Sequence, residues 1–247
     1  MHRRGLYGVR QRKDTGRMAY ALERRGFLAG IGAAGAVSLV SLSGCASGFG
    51  QFTFVDAVRR LLTLSSGAAL DRLIAPGGFY DSQIARLDLP QVFGSRGGVL
   101  ANILTGVVFR DRLQRQLNEF ARDGARRAAP VVADTIRTVG IANAVALIRG
   151  GPTAATGFLR DAMAGRLVDV MFPAIGDAMR VANDPVVGQA LAALSGVDIP
   201  AIARDLSVQA DNAIWTSIGA EESAIRADPR RTNDAQLIAV LTGANAL

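Results

Sequence analysis

Val99-Leu-Ala-Asn-Ile-Leu-Thr-Gly-Val-Val-Phe-Arg-Asp-Arg-Leu-Gln-Arg-Gln-Leu-Asn-Glu-Phe-Ala-Arg-Asp-Gly-Ala-Arg-Arg-Ala-Ala129 is the longest periodic stretch of the chain. Leu100, Ile103, Leu104, Val107, Val108, Leu113, Leu117 and Phe120 recur at spacings of three and four, the period of one helix face. Arg110, Asp111, Arg115, Glu119, Arg122, Asp123, Arg126 and Arg127 fall on the other side. Asp111 and Arg115 form an attractive i,i+4 pair, and Glu119 and Asp123 a repulsive one. Arg122, Arg126 and Arg127 read as a solvated helix face, with anion binding the less favoured alternative.

The same period extends outward in both directions. Upstream, Phe54, Val55, Val58, Leu61 and Leu62 predict a helix with Arg59 and Arg60 opposite, and 67–74 a second, short one. Ala75-Pro76-Gly77-Gly78 breaks it, and 76–98 reads as an irregular connection with a turn near Ile84. Its length makes it either a missed element or a functional loop. Downstream, Pro130 starts or kinks a helix to Ile136. Thr138 is expected to cap a helix over 141–148, ended by a left-handed glycine at Gly150-Gly151. Pro152 opens a helix carrying Phe158 to Phe172, interrupted at Pro173. Asp184-Pro185 opens 186–194, which Ser195-Gly196 stops, and Ile199-Pro200 opens another to Asp228-Pro229. Thr232 caps the last. Sustained alternation of period two is absent, so the expected fold is all-α: one bundle-like domain of about eight helices.

The N-terminus has a different character. A charged segment ends at Arg24-Arg25, and Gly26 to Gly44 carry no charge, with five glycines among nineteen residues. The run closes on Leu42-Ser43-Gly44-Cys45. Basic segment, apolar run and small-residue cleavage site make a secretory signal. A membrane span wants about 20 strongly apolar residues, which the glycines weaken. Glu23-Arg-Arg-Gly-Phe-Leu28 resembles the twin-arginine export signal, and Leu-Ser-Gly-Cys the lipobox of bacterial lipoproteins, which implies an acylated Cys45 as the mature first residue. The expected organisation is a signal over 1–44, a lipidated linker over 45–50 and a helical domain over 51–247. Met18, just before the signal proper, is an alternative start.

That division changes the meaning of the charge. The chain carries a net charge of +7, with 28 Lys and Arg against 21 Asp and Glu. Eight of the basic residues and two of the acidic ones precede Cys45, so the mature part keeps only +1. A basic balance suggests nucleic acid only when it belongs to the folded domain, so no nucleic-acid partner is expected. The mature part also has no histidine, no lysine and no cysteine beyond Cys45, since His2 and Lys13 lie in the signal. Zinc or copper sites built from His and Cys, a Ser-His-Asp or Cys-His nucleophile, a lysine Schiff base and a disulfide are thereby excluded. Neither a metal nor a cofactor is expected.

From Leu87 to Gly243 the order of motifs resembles a bacterial family catalogued as domain of unknown function 4197. Leu87-Asp-Leu-Pro90, Ala128-Ala-Pro130, Ile136 to Ile148-Arg-Gly-Gly151, Thr153-Ala-Ala-Thr-Gly-Phe158, Phe172-Pro173, Glu222, Ile225-Arg226, Asp228-Pro229 and Arg231 carry it. The resemblance implies an exported helical protein and no particular reaction. The chain departs from the pattern at Asn143, where an acidic residue is usual, and over 124–127.

The most site-like segment is Arg149, Gly150, Gly151, Thr153 and Thr156, where a helix start exposes N–H groups that could hold a phosphate or carboxylate. The competing and favoured reading is a tight turn. Glu222 and Arg226 read as a surface i,i+4 pair, and adjacent Glu221 and Glu222 point about 100° apart, which argues against paired carboxylates. Trp215 reads as core. No catalytic residue is assigned. The expectation is a lipid-anchored protein facing the periplasm that binds an envelope protein or small ligand. The membrane is its partner through acylated Cys45. The alternative is a hydrolase or lyase using only carboxylates, Arg and Tyr80. Ala46 after the cysteine points to the outer membrane, by resemblance to lipoprotein sorting rules.

Overall fold

The computed structural model describes residues 52–90, 106–181, 185, 188 and 198–244. The signal and lipidation residues Arg24, Arg25, Leu42, Ser43, Gly44 and Cys45 lie outside these, as do Leu100, Ile103, Leu104 and nearly all of the expected helix 186–194. The described residues form seven α-helices and no strand: α1 (Phe54–Ile74), α2 (Val107–Thr138), α3 (Ala144–Arg149), α4 (Ala154–Met163), α5 (Arg166–Val181), α6 (Ile199–Ala227) and α7 (Ala235–Ala244). A 3₁₀ turn, Pro229–Thr232, joins the last two. The domain is all-α, as the periodicity predicts.

Four long helices make the core. α1 packs on α2, α2 on α5, α5 on α6 and α6 back on α1, closing a four-helix bundle. Its seam is filled by Leu61, Leu62, Leu113, Leu117, Met171, Ile175, Ile202 and Leu206, all essentially inaccessible. α2 and α5 approach closely at Gly124, where a Cβ would lie 3.0 Å from Ile175 Cγ1.

Several expected boundaries move, each for a visible reason. The two expected upstream helices are one, because Ser65, Ser66, Ala69, Leu70 and Leu73 continue the buried stripe of Val58, Leu61 and Leu62. Thr53 and Asp56 start it with a capping box, the Asp56 amide donating to Thr53 Oγ1 at 3.1 Å. Pro130 lies inside α2. Buried Ala125, Ala128, Val132 and Ile136 stay in register across it, so packing carries the helix through the missing donor. Thr138 caps nothing: it is the last residue of α2 and its hydroxyl donates to Asp134 O. Val107 and Val108, assigned to the apolar face, are exposed at 82% each.

Pro173 likewise sits within α5 and does not interrupt it. The break comes earlier, at Ala164 and Gly165, with φ of 44° and 82°. The only local signal is Gly165, a lone glycine inside the apolar periodic run, with Ala164 before it sharing the left-handed turn. Asp234, not Thr232, caps α7, its Oδ1 accepting from the Leu237 amide at 3.0 Å. Thr232 Oγ1 instead accepts from the Asp234 amide.

The irregular connection after α1 is pinned to α2. Asn118 Oδ1 accepts from the Leu87 amide at 2.9 Å, while Asn118 Nδ2 and Gln114 Nε2 donate to Leu87 O. The Tyr80 hydroxyl donates to Asp111, and the Arg86 and Arg115 guanidiniums flank its ring at 4.4 and 4.1 Å. The bond to Asp111 raises the Tyr80 pKa and lowers that of the carboxylate. This arrangement holds 77–89 against the bundle beside α6.

Candidate functional site

The organising element is the middle of α6, a run in which Ser217, Glu221, Glu222 and Arg226 fall on two adjoining faces. Ser217 with Glu221, and Glu222 with Arg226, are i,i+4 pairs, and the two faces are about 100° apart. Each face does something different.

The first face is a clasp. Glu222 is wholly inaccessible. Its Oε1 accepts from the Ala155 amide at 3.0 Å, and its Oε2 from the Thr156 amide and hydroxyl at 2.6 Å each. Arg226 Nε donates to Glu222 Oε1 at 2.8 Å. The same guanidinium donates to Ile148 O and Leu147 O, both at 2.7 Å. Glu222 therefore occupies the positive N-terminus of α4, and Arg226 satisfies the last carbonyls of α3. One ion pair closes both ends of the junction between two short helices that could not hold their ends alone.

This geometry locates every residue of the sequence-predicted anion site. The two α4 amides aimed at an anion already hold one, supplied by the chain itself. Thr156 is buried in that clasp, whereas Thr153 is the exposed N-cap of α4 and makes no side-chain capping bond. Arg149 ends α3 on the surface. Gly150 has φ −72° and ψ −176°, so the expected left-handed cap is absent there, and Gly151 has no positive φ either. Gly150 is required by space instead: a Cβ would lie 2.7 Å from Ala154 Cβ and 2.9 Å from Ala146 O. A Cβ on Gly151 would meet nothing within 4 Å.

Thr153 and Thr156, with Arg160, Trp215 and Thr216, line a shallow groove of about 410 Å³ between α4 and α6. Arg149, Gly150 and Gly151 are not part of it. Trp215 is core, 4% exposed, and its indole N–H donates to Asp211 at 2.9 Å. Burial raises the Asp211 pKa, opposed by the Trp215 bond and by Arg160 at 3.3 Å. The Arg122 and Arg126 cluster is neutralised locally, Arg122 by Glu119 and Arg126 by Asp123.

The second face of α6 borders a cavity of about 340 Å³ closed by α1 and by the pinned connection. Arg72 and Leu73 come from α1, Ile84 from the connection, and Ser217 and Glu221 from α6. Glu221 Oε1 accepts from Arg72 Nη2. Its Oε2 lies 3.7 Å from Arg231 Nη2, too far for a hydrogen bond. Ser217 is 6% exposed, and no hydrogen-bond partner reaches its hydroxyl among the described residues. A hydroxyl and a carboxylate oxygen without donors among the described residues thus stand beside a guanidinium whose side chain is 64% exposed.

Neither face was fully legible. Glu222 reads from its spacing as a surface residue, but Ile218 and Ile225 place it on the buried stripe of α6, a position where a carboxylate needs several partners. Ser217 and Arg72 carried no signal, because they meet only through the α1–α6 packing. Among the described residues, no group of three His, Cys, Asp or Glu is arranged to hold a metal ion, and no helix is long and apolar enough to cross a membrane.

The fold and the two faces of α6 define an all-α domain built around a buried ion-pair clasp with a small cavity beside it. The chain belongs to the family described as Protein of unknown function (DUF4197), whose model matches residues 48–242. Neither the curated proteins nor the solved structures hold a match to the chain.

Proposed function

We propose that this is an exported domain, anchored through lipid on Cys45 at the periplasmic side of a bacterial envelope, that works by binding. The cavity beside α6 is the observation that carries the binding part. Ser217 and Glu221 line it, and the Ser217 hydroxyl and Glu221 Oε2 have acceptor positions that no donor among the described residues fills within hydrogen-bond reach, so a ligand can donate to both. The buried carboxylates point the same way: Glu222 and Asp211 are occupied by α4 amides, Arg226, Trp215 and Arg160. Glu221 and Glu222 face different partners, which gives a carboxylate-based hydrolase or lyase no facing pair to work with. The anchor rests on Arg24-Arg25 and on Leu42-Ser43-Gly44-Cys45. One chain gives only marginal membrane affinity, and stable attachment takes a second signal, which lipoprotein processing supplies.

Feeding cells a clickable palmitate analogue tests the anchor. The wild type should incorporate label and be cleaved after Gly44, and Cys45→Ala should do neither. An unlabelled wild type, or a labelled Cys45→Ala protein, overturns the anchor. Arg24→Lys with Arg25→Lys should strand the precursor in the cytoplasm, and unchanged export removes the twin-arginine route.

A further inference from the structure

We infer that the cavity between α1, the 77–89 connection and α6 binds a free α-amino acid as a zwitterion with an apolar side chain. This inference rests on the binding reading above and names the ligand class. Its basis is the alternation of charge at one mouth. Arg72 offers a guanidinium whose side chain is 64% exposed, and Glu221 offers a carboxylate whose side chain is 10% exposed. Glu221 Oε1 is taken by Arg72, but Oε2 lies 3.7 Å from Arg231 Nη2, beyond hydrogen-bond reach, and has an acceptor position free. Ser217, one helical turn before Glu221, is a residue 6% exposed that lines the cavity, and its hydroxyl has no partner among the described residues. Leu73 and half-exposed Ile84 supply the apolar wall.

Each simpler ligand fails on one of these groups. A plain anion would suit Arg72 but sit against the Glu221 carboxylate. A plain cation would suit Glu221 but meet Arg72 and Arg231. An uncharged apolar molecule would cover Ser217 and Glu221 Oε2 without supplying a donor, and covered polar groups without partners oppose binding. A zwitterion puts its carboxylate on Arg72, its ammonium on Glu221 Oε2 and Ser217 Oγ, and its side chain on Leu73 and Ile84. The volume, about 340 Å³, is at the small end of ligand cavities, roughly 300–1,000 Å³, which suits a single amino acid. The ion pair between Arg72 and Glu221 fixes the two charges in place before the ligand arrives, so little ordering is left to oppose binding.

The test uses the full chain purified in detergent, with L-alanine, L-leucine and L-phenylalanine as probes beside N-acetyl-L-leucine and L-leucinamide. Calorimetry and thermal shift should show binding of at least one free amino acid, and roughly tenfold or weaker binding when either charge is blocked, the loss of one good charge-assisted contact. Ser217→Ala should melt with the wild type, because no protein group depends on its hydroxyl, yet bind the free amino acid several-fold more weakly. Arg72→Gln should lose the preference for leucine over leucinamide. No response to any free amino acid overturns the assignment, and so does equal affinity for free and blocked leucine or an unchanged Ser217→Ala. Binding of the blocked forms alone would overturn the zwitterion while leaving a binding domain. The palmitate experiment judges the anchor independently of all these outcomes.

Discussion

Glu221 and Glu222 are neighbours on one helix, chemically identical and both more than nine-tenths buried, and the fold uses them in opposite ways. Glu222 receives two amides, a hydroxyl and a guanidinium, so both its oxygens are saturated. Glu221 receives one guanidinium on Oε1, has no donor among the described residues within hydrogen-bond reach of Oε2, and lines a cavity. The rotation of about 100° between adjacent helical residues aims one carboxylate at a helix start and the other at open space. Saturation marks structure, and an incomplete set of partners marks a place where something else can bind.

The largest effect comes from opening the clasp. Arg226→Met leaves Glu222 buried without its cation and uncaps α3, and breaking a buried pair in this way costs about 3–5 kcal/mol. Melting should fall on the order of 10 °C for a domain of this size. A fall of a degree or two would make the pair a surface ornament. Next is the junction itself. Gly150→Ala forces a Cβ against Ala154 and the Ala146 carbonyl and should cost about 1–3 kcal/mol, as overpacking does. Gly151→Ala meets open space and should stay within about 0.5 kcal/mol. Equal losses from the two would show that the turn is held by something other than crowding at Gly150.

Two smaller predictions sharpen the contrast through pH. Asp234 is held below its ordinary pKa by the Leu237 amide and by Arg60, so its contribution is present at neutral pH and fades as pH falls through its folded value. Asp234→Ala should cost about 1 kcal/mol near pH 7, with the gap from wild type closing below about pH 4. Asp211 is raised by burial, which Trp215 and Arg160 only partly oppose. Ionising it costs stability as pH rises, so wild type should gain relative to Asp211→Asn as pH is lowered from 7 towards 4. Melting curves across that range check both, and gaps that move in the same direction would contradict the assigned causes.

The sequence carried the bundle because the stripes of α1, α2 and α6 have the helical period, and apolar period is what the core responds to. Boundaries were less legible where packing overrides local preference. Pro130 and Pro173 are locally disruptive yet lie inside continuous helices, whereas the left-handed turn falls at Ala164 and is announced only by the single Gly165 after it. The clasp was half legible. The Glu222–Arg226 pair is visible at i,i+4 but reads as a surface pair, because the partners that bury it, Ala155 and Thr156, lie 67 and 66 residues away. Separations of that size join only once the chain has folded, so spacing does not report them. The cavity was not legible at all, since Arg72 and Glu221 are 149 residues apart.

Unfolding Glu221→Gln and Glu222→Gln side by side tests the central claim most directly. Both changes remove one charge and keep the shape. Glu222→Gln turns an NH₂ towards amide donors and leaves Arg226 unneutralised, which should cost at least about 2 kcal/mol. Glu221→Gln only loosens pairs with two arginines that remain solvated, and should cost under about 1 kcal/mol. A difference in that direction supports one carboxylate as clasp and the other as cavity wall. Equal losses, or a larger loss for Glu221→Gln, would contradict it.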